Sequence, residues 1–301
     1  MSAATASRGL AAPLRPRTRS LWSDARRRLA RNRAAVAAGW FLALVALACV
    51  AAPWIPWLAD PAAQDLRLGA VPPSAAHWFG TDELGRDLLT RVLHGGRISL
   101  RVGLVGTLVS LLVGVTWGAV AGYAGGALDE FMMRAVDVLY ALPNIFLVIL
   151  LLVFFSHSLL MLFVALGLVQ WLTMARIVRG QVLGLKQQTF VEAARALGAS
   201  DPGILVRHIV PNTLGPVVVY ATLTVPAVIL QEAFLSFLGL GVQPPAASWG
   251  TLIADGARVM ALFPWLVVSP GLALSLTLLA FNFLGDGLRD ALDPHDRTTA
   301  R

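Results

Sequence analysis

The sequence predicts an all-α integral membrane protein with six transmembrane helices. Of the 301 residues, 57% are hydrophobic and 14% are charged, whereas a soluble domain carries about 25% charged residues. Several apolar runs also reach the ~20 residues with which an α-helix crosses a bilayer. Finally, the basic residues are biased towards one set of connecting segments, which is typical of a chain that crosses a membrane repeatedly.

The six predicted spans follow one another with few long breaks. They cover residues 34–55, 99–123, 131–155, 158–177, 213–235 and 264–285. In the second span, Gly106 and Gly114, or Gly114 and Gly118, share a helix face, and small residues at this spacing let helix backbones approach closely in lipid. Pro143 predicts a kink in the third span.

The spans divide the chain into four parts. These are an Arg-rich segment at 1–33, the first span with a hydrophilic loop at 34–98, a core of five helices at 99–290 with a polar loop at 178–212, and a charged tail at 291–301. The stretch from Trp22 to Arg33 suits an amphipathic helix on the membrane surface. Arginines before an apolar run also fit a signal peptide, but because further spans follow, we expect the first span to be retained.

The basic residues predict that both termini lie in the cytoplasm. With the N-terminus inside, six spans return the C-terminus to the same side. The cytoplasmic segments then hold the N-terminal arginines and Arg134, Arg176, Arg179, Lys186, Arg195, Arg207, Arg289, Arg297 and Arg301. The outer segments hold only Arg67, Arg86, Arg91, Arg97, Arg101 and Arg258. This bias matches the positive-inside rule.

Composition and motifs exclude several other classes of protein. The net charge is +7, but the densest basic group precedes the first span, so no nucleic-acid partner is expected. Lys186 is the only lysine, and no phosphate-binding loop surrounds it. The five histidines are scattered and no hydrolase motif is present. We therefore expect no catalytic residue, cofactor or metal on this chain.

Local rules predict a capped helix in the polar loop. Thr189 and Glu192 have the spacing of a capping box, and Gly198 suits the left-handed position that ends a helix. Asp201 before Pro202 is the expected start of a second helix. These residues alone leave a second interpretation open, in which the polar loop is only a connector between two spans.

The second helix of the loop is expected to stop near a proline. It would run from Asp201 towards His208 and end near Pro211. The first helix exposes alanines, so the surface of another protein could approach its backbone closely.

The loop resembles the EAA motif of binding-protein-dependent ABC importer permeases. The motif falls on Glu192, Ala193, Ala194, Gly198 and Pro211, with Val210 at its leucine position and His208 departing from its isoleucine. The resemblance implies that the loop, including Leu197, is a coupling helix that docks on an ATPase subunit. ATP and Mg would then be bound and hydrolysed by partners.

Three further stretches narrow the resemblance. Residues 79–87, 237–245 and 284–290 resemble the dipeptide/oligopeptide/nickel group of these permeases, and within it the C type of two paired permeases. The resemblance spans roughly residues 25–296. It implies a type I importer fold of the MetI-like kind in a bacterial inner membrane. It also implies a second permease, two ATPases and an extracytoplasmic binding protein as partners, with peptides or nickel among the candidate substrates.

Polar residues within the predicted spans are candidates for lining the pathway. They are Asp137, Asn144, Glu232 and Asn282. Polar groups in lipid usually face a bundle interior or a water-filled path, although hydrogen bonding between helices would explain them equally well. The rival function is a secondary transporter or channel subunit without ATPases, whose inverted repeat is not evident in the sequence.

Overall fold

A computed structural model describes residues 21–155 and 158–292, and this part of the chain is mainly helical, with one long connection at 55–87. Its helices are α1 (Leu21–Leu29), α2 (Arg33–Ala51), α3 (Leu88–Ala124), α4 (Gly126–Tyr140), α5 (Asn144–Phe155), α6 (Leu159–Leu185), α7 (Thr189–Ala196), α8 (Asp201–Ile204), α9 (Val210–Phe237), α10 (Trp249–Arg258) and α11 (Trp265–Leu292). Most of the predicted start and tail of the chain lie outside the described residues.

Five helical stretches in the described residues are long and apolar enough to cross a membrane. They are α2 with the short 3₁₀ turn after it, α3, α6, the run from α8 to α9, and α11. The pair formed by α4 and α5 gives a sixth crossing if it counts as one bent span. The predicted number of spans therefore agrees with the structure.

The third span is broken rather than kinked. The axes of α4 and α5 differ by 88°, and the break falls at residues 141–143, directly before α5. Pro143 has no N–H to continue the helical ladder, and its ring disfavours helical backbone at the preceding residue. We predicted only a kink at Pro143. Instead, one helix ends before this proline and a new helix begins after it.

The second span begins earlier than the hydrophobic pattern indicates. α3 starts at Leu88, not at 99, and contains 37 residues. Asp87 caps the helix, since its Oδ1 accepts a hydrogen bond of 2.8 Å from the Thr90 N–H. Eleven residues assigned to the outer loop are therefore helical, and the loop ends at the capping aspartate.

The fifth span also starts earlier than expected, because Pro211 does not end a helix. The chain passes from α8 through a π-helical turn at Leu205–Ile209 into α9. In that turn the Val210 N–H donates to the Leu205 carbonyl, five residues back. The wider turn places the proline at the start of α9, where a missing N–H is tolerated.

Close backbone packing between α3 and α6 forms the centre of the bundle. A Cβ added to Gly114 would lie 2.6 Å from the Met174 Cβ, and one added to Gly167 would lie 2.6 Å from the Gly106 carbonyl oxygen. Such contacts leave room only for glycine, as expected for helices that pack tightly in lipid. The predicted role of the glycines in the second span is confirmed.

Two shorter helices, α10 and α1, complete the bundle around this pair. Trp249 of α10 is fully buried and donates its indole N–H to the Val92 carbonyl at 2.9 Å. At the other end of the bundle, α1 lies where an amphipathic helix was expected. A Cβ added to Gly287 of α11 would lie 3.3 Å from Leu29, so α1 packs closely against α11.

Candidate functional site

The short helix α7 carries most of the residues that match the EAA motif. The predicted capping box is not formed. Thr189 is the first helical residue, and the N-cap is Gln188, whose side chain makes no capping hydrogen bond. The box fails because the helix begins one residue earlier than its spacing requires, so Glu192 is free of that role and its side chain is exposed.

The end of α7 follows the prediction closely. Gly198 has φ +81°, the left-handed conformation that favours glycine. Its N–H donates to the Arg195 carbonyl at 3.0 Å, and the next N–H, of Ala199, donates to the Ala194 carbonyl at 3.1 Å. These two bonds form a Schellman motif, which turns the chain sharply between α7 and α8.

The hairpin of α7 and α8 is seated on an apolar core. Val191 of α7 is fully buried in the same cluster as Ile204 and Ile209. Polar contacts tie the hairpin to the end of α3, since the Tyr123 hydroxyl donates to Asp201 Oδ1 at 2.5 Å and Lys186 Nζ donates to the Tyr123 carbonyl at 2.5 Å. The hairpin is therefore held in one position against the bundle.

Asp201 was predicted to cap the start of α8, but it does not do so. It is the first residue of that helix, after Ser200 at the N-cap, and its carboxylate instead accepts the Tyr123 hydroxyl and lies 3.7 Å from the Arg195 guanidinium. The Tyr123 hydroxyl and then this carboxylate raise the pKa of Arg195 above its ordinary value. Like any arginine, Arg195 is a cation at neutral pH, and it lies beside the exposed surface.

The outer surface of α7 is apolar at its centre. Leu197 is 88% exposed, Phe190 is 39% exposed and Ala193 is also exposed. Across the turn, Val206 is 65% exposed, and Pro211 is exposed at the start of α9. Large exposed apolar side chains on a rigid, capped hairpin are typical of a protein docking surface.

Comparison with known protein families gives two matches to the chain. The family described as "Binding-protein-dependent transport system inner membrane component" matches residues 114–297. The chain belongs to this family. A second family, the "N-terminal TM domain of oligopeptide transport permease C", matches residues 20–73 of the permease. The permease is thus a multi-pass protein of a bacterial inner membrane and a subunit of an ABC importer.

Several curated relatives cover nearly the whole permease. The oligopeptide transport system permease protein OppC of Escherichia coli (strain K12) is 54% identical over 93% of this chain and 93% of its own length. The corresponding protein of Haemophilus influenzae is 50% identical over 93% and 90%. The dipeptide transport system permease protein DppC of Bacillus subtilis is 48% identical over 91% and 86%.

A solved structure supports the fold. The inward-facing MetNI methionine ABC transporter contains a chain that aligns with a TM-score of 0.58 at 18% sequence identity. The alignment covers 68% of the permease and 98% of that chain. The predicted MetI-like fold is confirmed, and at this identity the likeness concerns the fold alone.

Three of the four polar residues proposed to line the pathway are exposed on this permease. Asn144 begins α5, Asn282 lies in α11, and Asp137 lies in α4, where its Oδ1 forms a 2.9 Å ion pair with Arg176 of α6. Exposed polar groups on spanning helices are expected to face protein or water rather than lipid. Their role in the pathway stays a prediction.

Glu232 differs from the other three because it is fully buried inside the permease. Its Oε1 accepts hydrogen bonds from the hydroxyls of Ser236 at 2.7 Å and Ser248 at 2.6 Å. Ser248 also caps α10, so the carboxyl group joins the outer end of α9 to the start of α10. In this conformation, hydrogen bonding between helices explains the position of Glu232 better than a role in lining the pathway does.

Sequence reasoning did not foresee the ion pairs between α4 and α6. Arg179 donates to both carboxylate oxygens of Asp129, at 2.6 and 2.8 Å. The residues lie 50 positions apart, so no local spacing signals the pair. Within the described residues, no three His, Cys, Asp or Glu side chains are grouped so that they could hold a metal ion.

Proposed function

We propose that this permease is the C-type membrane subunit of an ATP-driven peptide importer. It would pair with a second, different permease to form the translocation pathway. Two ATPase subunits would bind and hydrolyse ATP with Mg, and an extracytoplasmic binding protein would deliver the peptide. The names of the relatives, which are oligopeptide and dipeptide permeases, support peptides over nickel as the substrate.

The observation that carries this proposal is the rigid hairpin with its exposed apolar centre. The Schellman turn at Gly198 fixes the angle between α7 and α8, and Val191 anchors the hairpin in the bundle. Leu197 and Ala193 are left for a partner. A groove on an ATPase that receives this surface would couple ATP-driven movement to the permease.

The continuity of α8 and α9 suggests how the movement is transmitted. The helical run from Asp201 to Phe237 contains 37 residues and is therefore about 55 Å long. It begins in the hairpin and ends where Glu232 contacts Ser248 of α10. A push on the hairpin would consequently reach the opposite end of the bundle, as alternating access by rigid-body movement requires.

A transport assay tests the proposal. The permease, its partner permease, both ATPases and the binding protein are reconstituted in vesicles and supplied with a radiolabelled tripeptide. We expect ATP-dependent uptake and copurification of the ATPases, and no ATP hydrolysis by this chain alone, since it has no phosphate-binding loop. Uptake that persists without ATPases would favour the secondary transporter instead.

The proposed orientation places both termini and the hairpin in the cytoplasm. Single cysteines at Phe190 and Ala75 test it in a variant whose Cys49 is replaced by serine. In intact spheroplasts, an impermeant maleimide should label position 75, in the segment between α2 and α3, and should label position 190 only after lysis. The reverse pattern would contradict the orientation.

A further inference from the structure

Two of the stretches that carry the family resemblance line a single cavity of about 690 Å³. One wall is the connection between α9 and α10, with residues 241–247. The opposite wall is the turn before α3 and the start of that helix, with Leu84, Arg86 and Arg91. The volume falls in the range of small-molecule sites, about 300–1,000 Å³. The proposed coupling mechanism does not use this cavity.

The charged groups around the cavity are mostly positive. Arg86, Arg91 and Arg258 line it, whereas Asp255 is the one acidic residue in its lining among the described residues. Arg91 is nearly buried, with 8% of its side chain exposed, and Arg258 lies exposed at the end of α10. The cavity is therefore suited to an anionic group.

Asp82 holds two of the arginines in fixed positions. Its Oδ2 accepts hydrogen bonds from Arg86 Nε at 2.7 Å and from Arg91 Nη1 at 2.6 Å. Its Oδ1 accepts the N–H groups of Leu84 and Arg86, both at 3.0 Å. Asp255 also interacts electrostatically with Arg91, so Asp82 and Asp255 together balance two of the three guanidinium groups. One positive charge, with several guanidinium N–H donors, is left for a ligand.

The turn that carries Asp82 is itself well fixed. The Thr81 hydroxyl donates to the Gly69 carbonyl at 2.7 Å and accepts the Val71 N–H at 2.8 Å. From α11, the Trp265 indole N–H donates to the Thr81 carbonyl at 3.2 Å. A receptor whose donors are positioned before the ligand arrives loses less entropy on binding.

We propose that Arg86 and Arg91, with Arg258 at the rim, bind the C-terminal carboxylate of a peptide on its way into the pathway. A guanidinium group presents a planar fork of donors that matches a carboxylate. The apolar residues of the 241–247 wall leave space for the rest of the peptide. This inference rests on the proposed function as a peptide importer.

The test compares uptake of trialanine with uptake of trialanine amide, which lacks the terminal carboxylate. The complete reconstituted transporter carries Arg86→Gln or Arg258→Gln, and the matched control is Arg67→Gln, an exposed arginine that lies outside the cavity lining. We expect each cavity variant to raise the KM for trialanine about tenfold, as for the loss of one charge-assisted hydrogen bond. The KM for the amide should not change, and Arg67→Gln should resemble the wild type.

Other outcomes would overturn the inference in distinguishable ways. An equal loss of uptake for both peptides would mean that the arginines maintain the structure, and an unchanged KM for trialanine would mean that they do not meet the substrate. Weaker binding of the peptide-free binding protein to the variants would assign the site to that partner. If the wild-type transporter takes up neither peptide, the proposed function itself fails.

Discussion

Replacing Gly198 by valine is expected to reduce peptide uptake by at least about tenfold while the permease still inserts in the membrane. Gly198 has φ +81° and no heavy atom within 4 Å of an added Cβ, so the substitution causes backbone strain and no clash. The left-handed conformation costs an ordinary L-residue about 1–2 kcal/mol, and a β-branched residue adopts it with more difficulty. The hairpin should leave its fixed geometry, and the ATPases should bind weakly.

A second substitution at the same position provides the control. Asparagine tolerates the left-handed conformation, so Gly198→Asn should retain most of the uptake and the copurifying ATPase. Glu192→Ala should have a milder effect than Gly198→Val, because the Glu192 side chain is exposed and does not form the expected capping box. Normal uptake by Gly198→Val at normal abundance would show that the hairpin is a passive connector.

Replacing Gly167 by leucine is expected to destabilise the folded bundle strongly. An added Cβ would lie 2.6 Å from the Gly106 carbonyl oxygen and 2.6 Å from the Val109 Cβ. Overpacking of a core by a few methylene groups costs about 1–3 kcal/mol, and here the obstacle includes backbone, which cannot rotate away. We expect a loss of stability above about 3 kcal/mol, measured as a lower melting temperature in detergent and lower abundance in the membrane.

Gly184→Leu is the matched control in the same helix. No heavy atom lies within 4 Å of a Cβ added there, and leucine is a better helix former than glycine. This variant should therefore be as stable as the wild type. If Gly167→Leu and Gly184→Leu had the same melting temperature, close packing of α3 on α6 would not hold the bundle together.

Local rules predicted those parts of the structure that depend on neighbouring residues. The number of spans follows from the apolar runs, and the left-handed end of α7 at Gly198 follows from helix capping. The start of α3 was missed even though its cap is local, with Asp87 accepting the N–H of Thr90 three residues later, because the span was placed from its hydrophobicity. Hydrophobicity gives no sign of that cap.

The sites that depend on distant contacts could not be predicted. The Arg179–Asp129 ion pair joins α6 to α4, and the whole of α5 lies between these helices in the chain. In the same way, the resemblance identified residues 79–87 and 237–245 separately, but only the fold places parts of both around one cavity. A pattern read along the chain carries no information about which segments meet across the bundle.

The broken third span also constrains how the permease is made. Four of the 15 residues of α4 are charged, namely Asp129, Glu130, Arg134 and Asp137. This helix is therefore poorly suited to lateral release into lipid. α5 has only 12 residues, or about 18 Å of helix, against a hydrocarbon layer of about 30 Å. Neither helix can partition from the translocon alone. We therefore expect α5 to leave it only together with a neighbouring helix, α4 or α6, once the ribosome has completed both.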